Sequence, residues 1–311
     1  MTFLAALATA GLLLSSPQEG VVAAQPQVPS SDLGTIVVEG RAIEDQVESF
    51  VEDVAAPPRG RGLARWDSEV CVGAANMQAR YAQYMIDRVA TVAADLGLEI
   101  GEPGCRANIL IIASDDASAL ATRLADENPS GFRPSRNNTD MGSEALERFK
   151  STDAPVRWWY VSLPVSADTG ELAVRLDHEE PPQIRVRDAS RLRANIRDDL
   201  SRVMIILDVA EIGRIPYRAL SDYVAMVALA QIAPDADPSD FDSILNLFGT
   251  NEGLRRDELT NWDRDYLTSL YTVSRDRARD TQQTRAVAQE MIESRREREA
   301  GDEDSNPSEA P

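Results

Sequence analysis

The chain has 311 residues, with 52 Asp+Glu against 32 Lys+Arg, one histidine, two cysteines and a formal charge of −20. A hydrophobic fraction of 43% is enough for a proper core and excludes disorder throughout. The charge argues against nucleic acid or anionic lipid as a partner, since both need clustered cations, and a single histidine excludes zinc sites built on two or three imidazoles, HExxH included.

Phe3 to Leu14 is an unbroken run of apolar and small residues, too short to span a bilayer, followed by Val22-Ala23-Ala24. That is the shape of a secretory signal peptide over residues 1–24, cut after Ala24, with no stable membrane insertion afterwards. No Lys or Arg precedes the run, and a buried N-terminal helix is the alternative. Residues 25–33, containing Pro26, Pro29, Ser30 and Ser31, read as a linker. The expected location is therefore periplasmic or secreted. An oxidising compartment permits a bridge, and the two cysteines, Cys71 and Cys105, leave one pairing; two separate buried thiols are the alternative.

Thr35 to Gly40 is a β-branched run ended by glycine and is expected to be a strand, and Ala42 to Val54 repeats apolar residues at helical spacing until Pro57-Pro58. Arg65 to Val72 alternates like a strand. Met77 to Leu96 is an amphipathic helix expected to turn Tyr81, Tyr84, Met85, Val89, Val92 and Leu96 inward. Asn108 to Ala113 has the continuous apolar pattern of a strand buried on both faces, after which Asp115 or Asp116 caps a helix through Leu120 and Leu124. A polar loop from Gly131 to Met141 precedes a short helix to Phe149. Val156 to Leu163 is a strand, joined by a polar hairpin to Gln183–Val186, and Arg202 to Val209 is a central strand. Helical patterns follow at Pro216–Ile232, Asn261–Tyr271 and Arg277–Arg298, with a turn at Ser243–Phe248. Strands interleaved with helices, then helices alone, predict an α+β fold: a mixed sheet packed by helices, with a mainly helical C-terminal half. The expected organisation is one domain over 34–273, a charged helix over 274–300 that projects, awaits a partner or is simply solvated, and a disordered acidic tail over 301–311.

Candidate chemistry is sparse. His178 lies in Asp177-His178-Glu179-Glu180-Pro181-Pro182, which reads as an exposed turn and not as the rigid imidazole of a triad. Asp235, Asp237, Asp240 and Asp242 crowd one loop, but Pro238 and irregular spacing break the EF-hand pattern, so a solvated capping loop is expected over calcium. In Arg157-Trp158-Trp159-Tyr160 the alternation places Trp158 and Tyr160 on one face, where they are candidates for stacking on a sugar. Glycine-rich phosphate loops are absent from the sequence. No catalytic residue, metal or cofactor is assigned.

The succession Arg65-Trp66, Cys105 to Ile111, Arg157 to Tyr160, Ser221 to Ala230, Ser243 to Phe248 and Leu259 to Tyr271 resembles a family of exported proteobacterial proteins of unknown function. A second resemblance is to the zincin metalloproteases, in which a helix carries HExxH followed by a Gly-Leu pair. That segment falls on Ser221-Asp222-Tyr223-Val224-Ala225, with Ala228-Leu229 after it. The resemblance implies a zincin-like shell whose metal positions are degenerate at Ser221, Asp222 and Ala225; the alternative is that Tyr217 to Ile232 is simply a core helix. The expected function is that of a non-enzymatic exported protein that binds an envelope protein or a cell-wall component. A hydrolase of envelope polysaccharide running on paired carboxylates is the alternative.

Overall fold

The computed structural model describes residues 35–305 except Arg59, His178, residues 187–192, Asp276 and Ala278. The signal peptide, the linker, His178 and residues 306–311 of the tail lie outside the described residues, while residues 301–305, expected to be disordered, continue the C-terminal helix. The chain divides into two compact units, Met1–Glu39 and Gly40–Pro311. Of the first, only residues 35–39 are described, and they are helical.

Four strands form one mixed sheet in the order β1-β2-β4-β3: β1 (Val72–Ala75), β2 (Ile109–Ser114), β3 (Val156–Ser166) and β4 (Ile196–Asp208). β1, β2 and β4 are mutually parallel and β3 is antiparallel to β4, with Ile109 opposite Val203 and Arg157 opposite Ile206. The helices are α1 (Thr35–Val54), α2 (Ala79–Asp95), α3 (Ala117–Glu127), α4 (Pro129–Phe132), α5 (Ser143–Ser151), α6 (Tyr217–Leu229), α7 (Asn261–Thr272) and α8 (Asp280–Ser305). The fold is α+β, and its C-terminal region is helical.

The two-residue period of the strands sorts their side chains between two cores. Ile109, Ile111, Val156, Trp158, Tyr160, Val203 and Ile205 join the main core with α1, α2, α6, α7 and α8. Trp159, Val161 and Ile206 face the other way, against Ala117, Ala121 and Ala125 of α3 and against Phe132 and Phe149.

Helix α6 is buried along Ala219–Leu229, so its last carbonyls have no water to bond. Aromatic side chains from distant segments meet them instead. Tyr160 Oη donates to Val227 O (2.6 Å), Trp66 Nε1 to Ala228 O (2.9 Å) and Tyr271 Oη to Leu229 O (2.7 Å). Trp158 Nε1 donates to Ile232 O just beyond (2.9 Å), and Tyr160 Oη accepts from Ile232 N (3.1 Å). Helix α8 docks through Val287, Ala288, Met291 and Ile292, while Gln283 exchanges two hydrogen bonds with the Leu63 backbone.

Several elements depart from the sequence expectations. Thr35–Gly40 is the opening of α1 and not a strand: β-branched propensity is a weak preference, and adding residues to an existing helix is easier than starting a separate element. Arg65–Val72 is not one strand, because Arg65 bridges to Asp199 and Val70 to Ile100, partners in different places; a regular strand begins only at Val72. Tyr81 and Tyr84 are 38% and 44% exposed, so they do not point inward; their hydroxyls tolerate water, and Met85, Val89 and Val92 suffice to bury α2. The second face of β2 is only half covered, at Leu110 and Ile112. Asp116 caps α3, its carboxylate accepting from Ala119 N, but the buried stripe is Ala117, Ala121 and Ala125, which lets α3 lie close to the sheet. Gln183–Val186 forms no strand.

The sulfurs of Cys71 and Cys105 stand at disulfide distance, with Cα atoms 6.0 Å apart and the residues 34 positions apart in sequence. Two measurements test this layer. Tyr160→Phe leaves Val227 O unmet inside the core and is expected to lower the unfolding free energy by roughly 1–3 kcal/mol, whereas Tyr84→Phe on the surface stays within about 0.5, read by urea denaturation. Replacing both cysteines by serine is expected to remove about 3–4 kcal/mol, and the native chain unfolded without reductant is expected to show no thiol reactive to maleimide.

Candidate functional site

The positions aligned with a zincin metal site are closed. Ser221, Asp222 and Ala225 are all fully buried. Ser221 Oγ donates to Tyr217 O at 2.8 Å, one turn back on its own helix. Asp222 receives both Nε and Nη2 of Arg88 and also the Leu259 N–H at 2.8 Å. Its carboxylate therefore ties α2, α6 and the segment leading to α7, with Arg88 drawn above its ordinary pKa by that bond. Among the described residues no group of three or more His, Cys, Asp or Glu side chains is placed to hold a metal ion.

The sugar-stacking expectation for Trp158 and Tyr160 is overturned. Their rings are 5% and 0% exposed, and their polar tips are spent on α6 and Ile232 as described above. An aromatic side chain with a polar tip has the same sequence signature whether the tip meets a ligand or a buried carbonyl. The exposed aromatics lie elsewhere: Tyr217 sits between Tyr81 and Tyr84, with ring centroids 5.0 and 5.6 Å away, and Arg80 stacks over Tyr81. In the acidic loop, Asp237 accepts from Ser239 N and Asp242 pairs with Arg256, as a solvated capping loop requires.

A groove does form, along the free edge of β3. Asp208 N donates to Pro155 O (2.9 Å), which marks these two as a hydrogen-bonded pair of the antiparallel ladder. By the two-residue period Arg157 and Trp159 then turn their backbone groups toward β4, and Val156 and Trp158 turn theirs to the open side. Further along, Thr139 O accepts from Ser162 N (2.9 Å), so the loop before α5 covers the edge there. Gly142, at φ +90°, swings that loop into α5. Between α5, the start of β3 and the residues after α6 lies a cavity of about 320 Å³, walled by Met141, Phe149, Val156 and Trp158 and carrying Arg148, Arg157 and Asp235. A second cavity of about 240 Å³ shares Met141, Ala145, Arg148, Pro234 and Asp235 with it and continues to Asp140 and Pro57-Pro58.

Asp140 is 5% exposed; its Oδ1 accepts from Gly142 N (2.8 Å) and pairs with Arg133 Nε at 3.3 Å. Burial still outweighs these contacts and holds its carboxyl above the usual range. The groove is thus an apolar trough with two arginines, a raised carboxyl and an unpaired strand edge, suited to holding an extended or amphipathic ligand. Of its parts, only Trp158, as a sugar platform, and Asp235, in the acidic loop, stand out in the sequence, and neither reading points to this groove.

Compared with protein-family models, curated proteins and solved structures, the chain matches none. The resemblances above therefore stand on the quoted residues alone. If Asp222 is a structural tie, Asp222→Ala strands Arg88 and the Leu259 N–H, and is expected to lower stability by about 3 kcal/mol or more in denaturant. A loss below about 1 kcal/mol would overturn that role.

Proposed function

We propose that the chain is exported to the cell envelope and acts there by binding an envelope protein or a cell-wall component, as a member of the exported proteobacterial family it resembles. The groove along the free edge of β3 carries this reading, because it combines apolar walls with open backbone donors and acceptors. Export is supported by the apolar run and Val22-Ala23-Ala24 in the sequence and by the pairing of Cys71 with Cys105. That the role is binding and not catalysis is supported by Asp222, whose carboxylate is committed to Arg88, and by Asp265, committed to Arg295 and Arg298.

One observation favours a second reading, hydrolysis of envelope polysaccharide. Asp140, its carboxyl raised, and Asp235 line the same stretch of groove, as an acid and base pair would.

Peptidoglycan sacculi separate the two. The periplasmic protein, expected to begin at Gln25 by N-terminal sequencing, is expected to sediment with sacculi or with a protein crosslinked to them. Pro234→Trp, at an exposed position shared by both cavities, is expected to abolish retention without moving the melting temperature by more than a few degrees. Soluble fragments released by the wild type but not by Asp140→Asn would establish hydrolysis instead. Equal retention of wild type and Pro234→Trp would remove the groove from the reading.

A further inference from the structure

Val203 N donates to Asn108 O (2.9 Å) and Val209 N to Ser114 O (2.9 Å), so the odd-numbered residues in this part of β4 bond β2 and the even-numbered ones bond β3. Ile206 meets Arg157 and Met204 meets Trp159 in that register. The N–H and C=O of Val156 and Trp158 therefore point away from β4, and among the described residues nothing else bonds them. Further along, Asp140 bridges to Val161 and Ser162 N donates to Thr139 O, so Thr139 and Asp140 already lie on this edge, antiparallel to β3, until Gly142 turns the chain into α5. The cavity of about 320 Å³ begins where they leave. It touches Val156, Arg157 and Trp158 in succession, although their side chains alternate between sheet faces. Phe149 and Ala145 of the second core wall it on one side, and Pro234 and Asp235, which follow Ile232 of the main core, on the other, so it meets β3 at its edge. Asp235 is exposed and no ion pair engages it among the described residues, whereas Arg148 is paired with Glu144.

We propose that the groove takes an extended polypeptide segment as an added strand on β3, next in line after Thr139 and Asp140 and hydrogen-bonded to the backbones of Val156 and Trp158, which rests on the reading of the groove as a binding site and names its occupant. An extended polypeptide supplies N–H and C=O groups at the alternating spacing a strand edge requires, and a glycan carries no such row. Residues directly opposite in a sheet share a face. Partner residues across from Val156 and Trp158 therefore turn their side chains toward Pro234 and Asp235, and the one between them, across from Arg157, turns toward Phe149 and Ala145. The middle position suits an apolar residue. The flanking positions suit basic ones, in keeping with the unpaired Asp235 and with the net charge of −20.

Amide hydrogen exchange of the full chain, read by NMR, tests this with the peptide acetyl-Thr-Lys-Val-Lys-Thr-amide as probe. In the free chain the amides of Val156 and Trp158 are expected to exchange faster than those of Arg157 and Trp159, and to slow about tenfold or more when the peptide saturates the groove. Equal protection of all four in the free chain would mean a closed edge and overturn the proposal. Methylating alternate peptide nitrogens, those of both lysines or those of the valine and the second threonine, is expected to abolish binding in one frame and spare it in the other; equal loss or equal retention would overturn an added strand. Glutamate in place of both lysines is expected to weaken binding about fivefold, and Asp235→Lys to shrink that difference about threefold. An unchanged difference would overturn the preference for a basic segment. Chitotetraose slowing the same two amides, with no peptide binding at millimolar concentration, would overturn the proposal and give the groove to a glycan. Absence of binding by both probes would overturn it as well, while retention of wild type and Pro234→Trp on sacculi decides the groove reading separately.

Discussion

A helix whose later turns have no face to water must find donors for its last carbonyls inside the protein, and α6, buried from Ala219 to Leu229, is such a helix. The donors are the hydroxyls of Tyr160 and Tyr271 and the indole N–H of Trp66, each on a different segment and each brought to a single carbonyl at Val227, Leu229 or Ala228. An unmet buried carbonyl costs about 1–3 kcal/mol, comparable with a large part of a domain's net stability. Satisfying three in a row fixes where the 65–66 segment, strand β3 and helix α7 stand relative to α6. The sheet and the helical half are therefore joined by directed bonds as well as by apolar packing.

Buried charge follows the same logic. Asp222 accepts from Arg88 and Leu259 N, and Asp263 accepts from Ser243 Oγ, Ile244 N and both the backbone and the hydroxyl of Thr260. Burial still raises the Asp263 carboxyl above its ordinary range despite these donors. A raised pKa in a closed, fully bonded place is a consequence of packing, whereas the raised Asp140 lines a cavity. Access, and not the shift itself, distinguishes the two carboxyls.

Much of the fold was legible in the sequence. β2, β3 and β4 announce themselves as apolar runs of strand length, α6 as a helix apolar on nearly every side, and the cysteines as a single permitted pair. Capping was partly legible too: Asp116 at the start of α3 follows the expected chemistry, whereas the Thr260 and Asp263 capping box that opens α7 emerged only in the structure. What escaped depends on partners far away in the chain. Trp158 and Tyr160 resemble a stacking platform until Val227 and Ile232 are placed beside them, and the α2 tyrosines fit an inward stripe although they lie exposed beside Tyr217. The groove was invisible because residues near 57, 140, 156 and 234 build it together, with no local motif in any one of them.

The ends of α6 and α5 are closed by different kinds of donor. At α6 each carbonyl meets one neutral donor, and each aromatic tip is used up by its bond. At α5 the carbonyls of Phe149 and Lys150 are met by Arg157, a residue with five N–H groups of which Nη1 supplies only two. A tyrosine or tryptophan could end a helix there with no remainder and no buried charge. An arginine at that place brings a buried charge as well, and Asp208, 3.9 Å from Nη2, offsets that charge without accepting a hydrogen bond from it, so the end of α5 is tied to the last residue of β4 by charge where the end of α6 is tied by neutral donors.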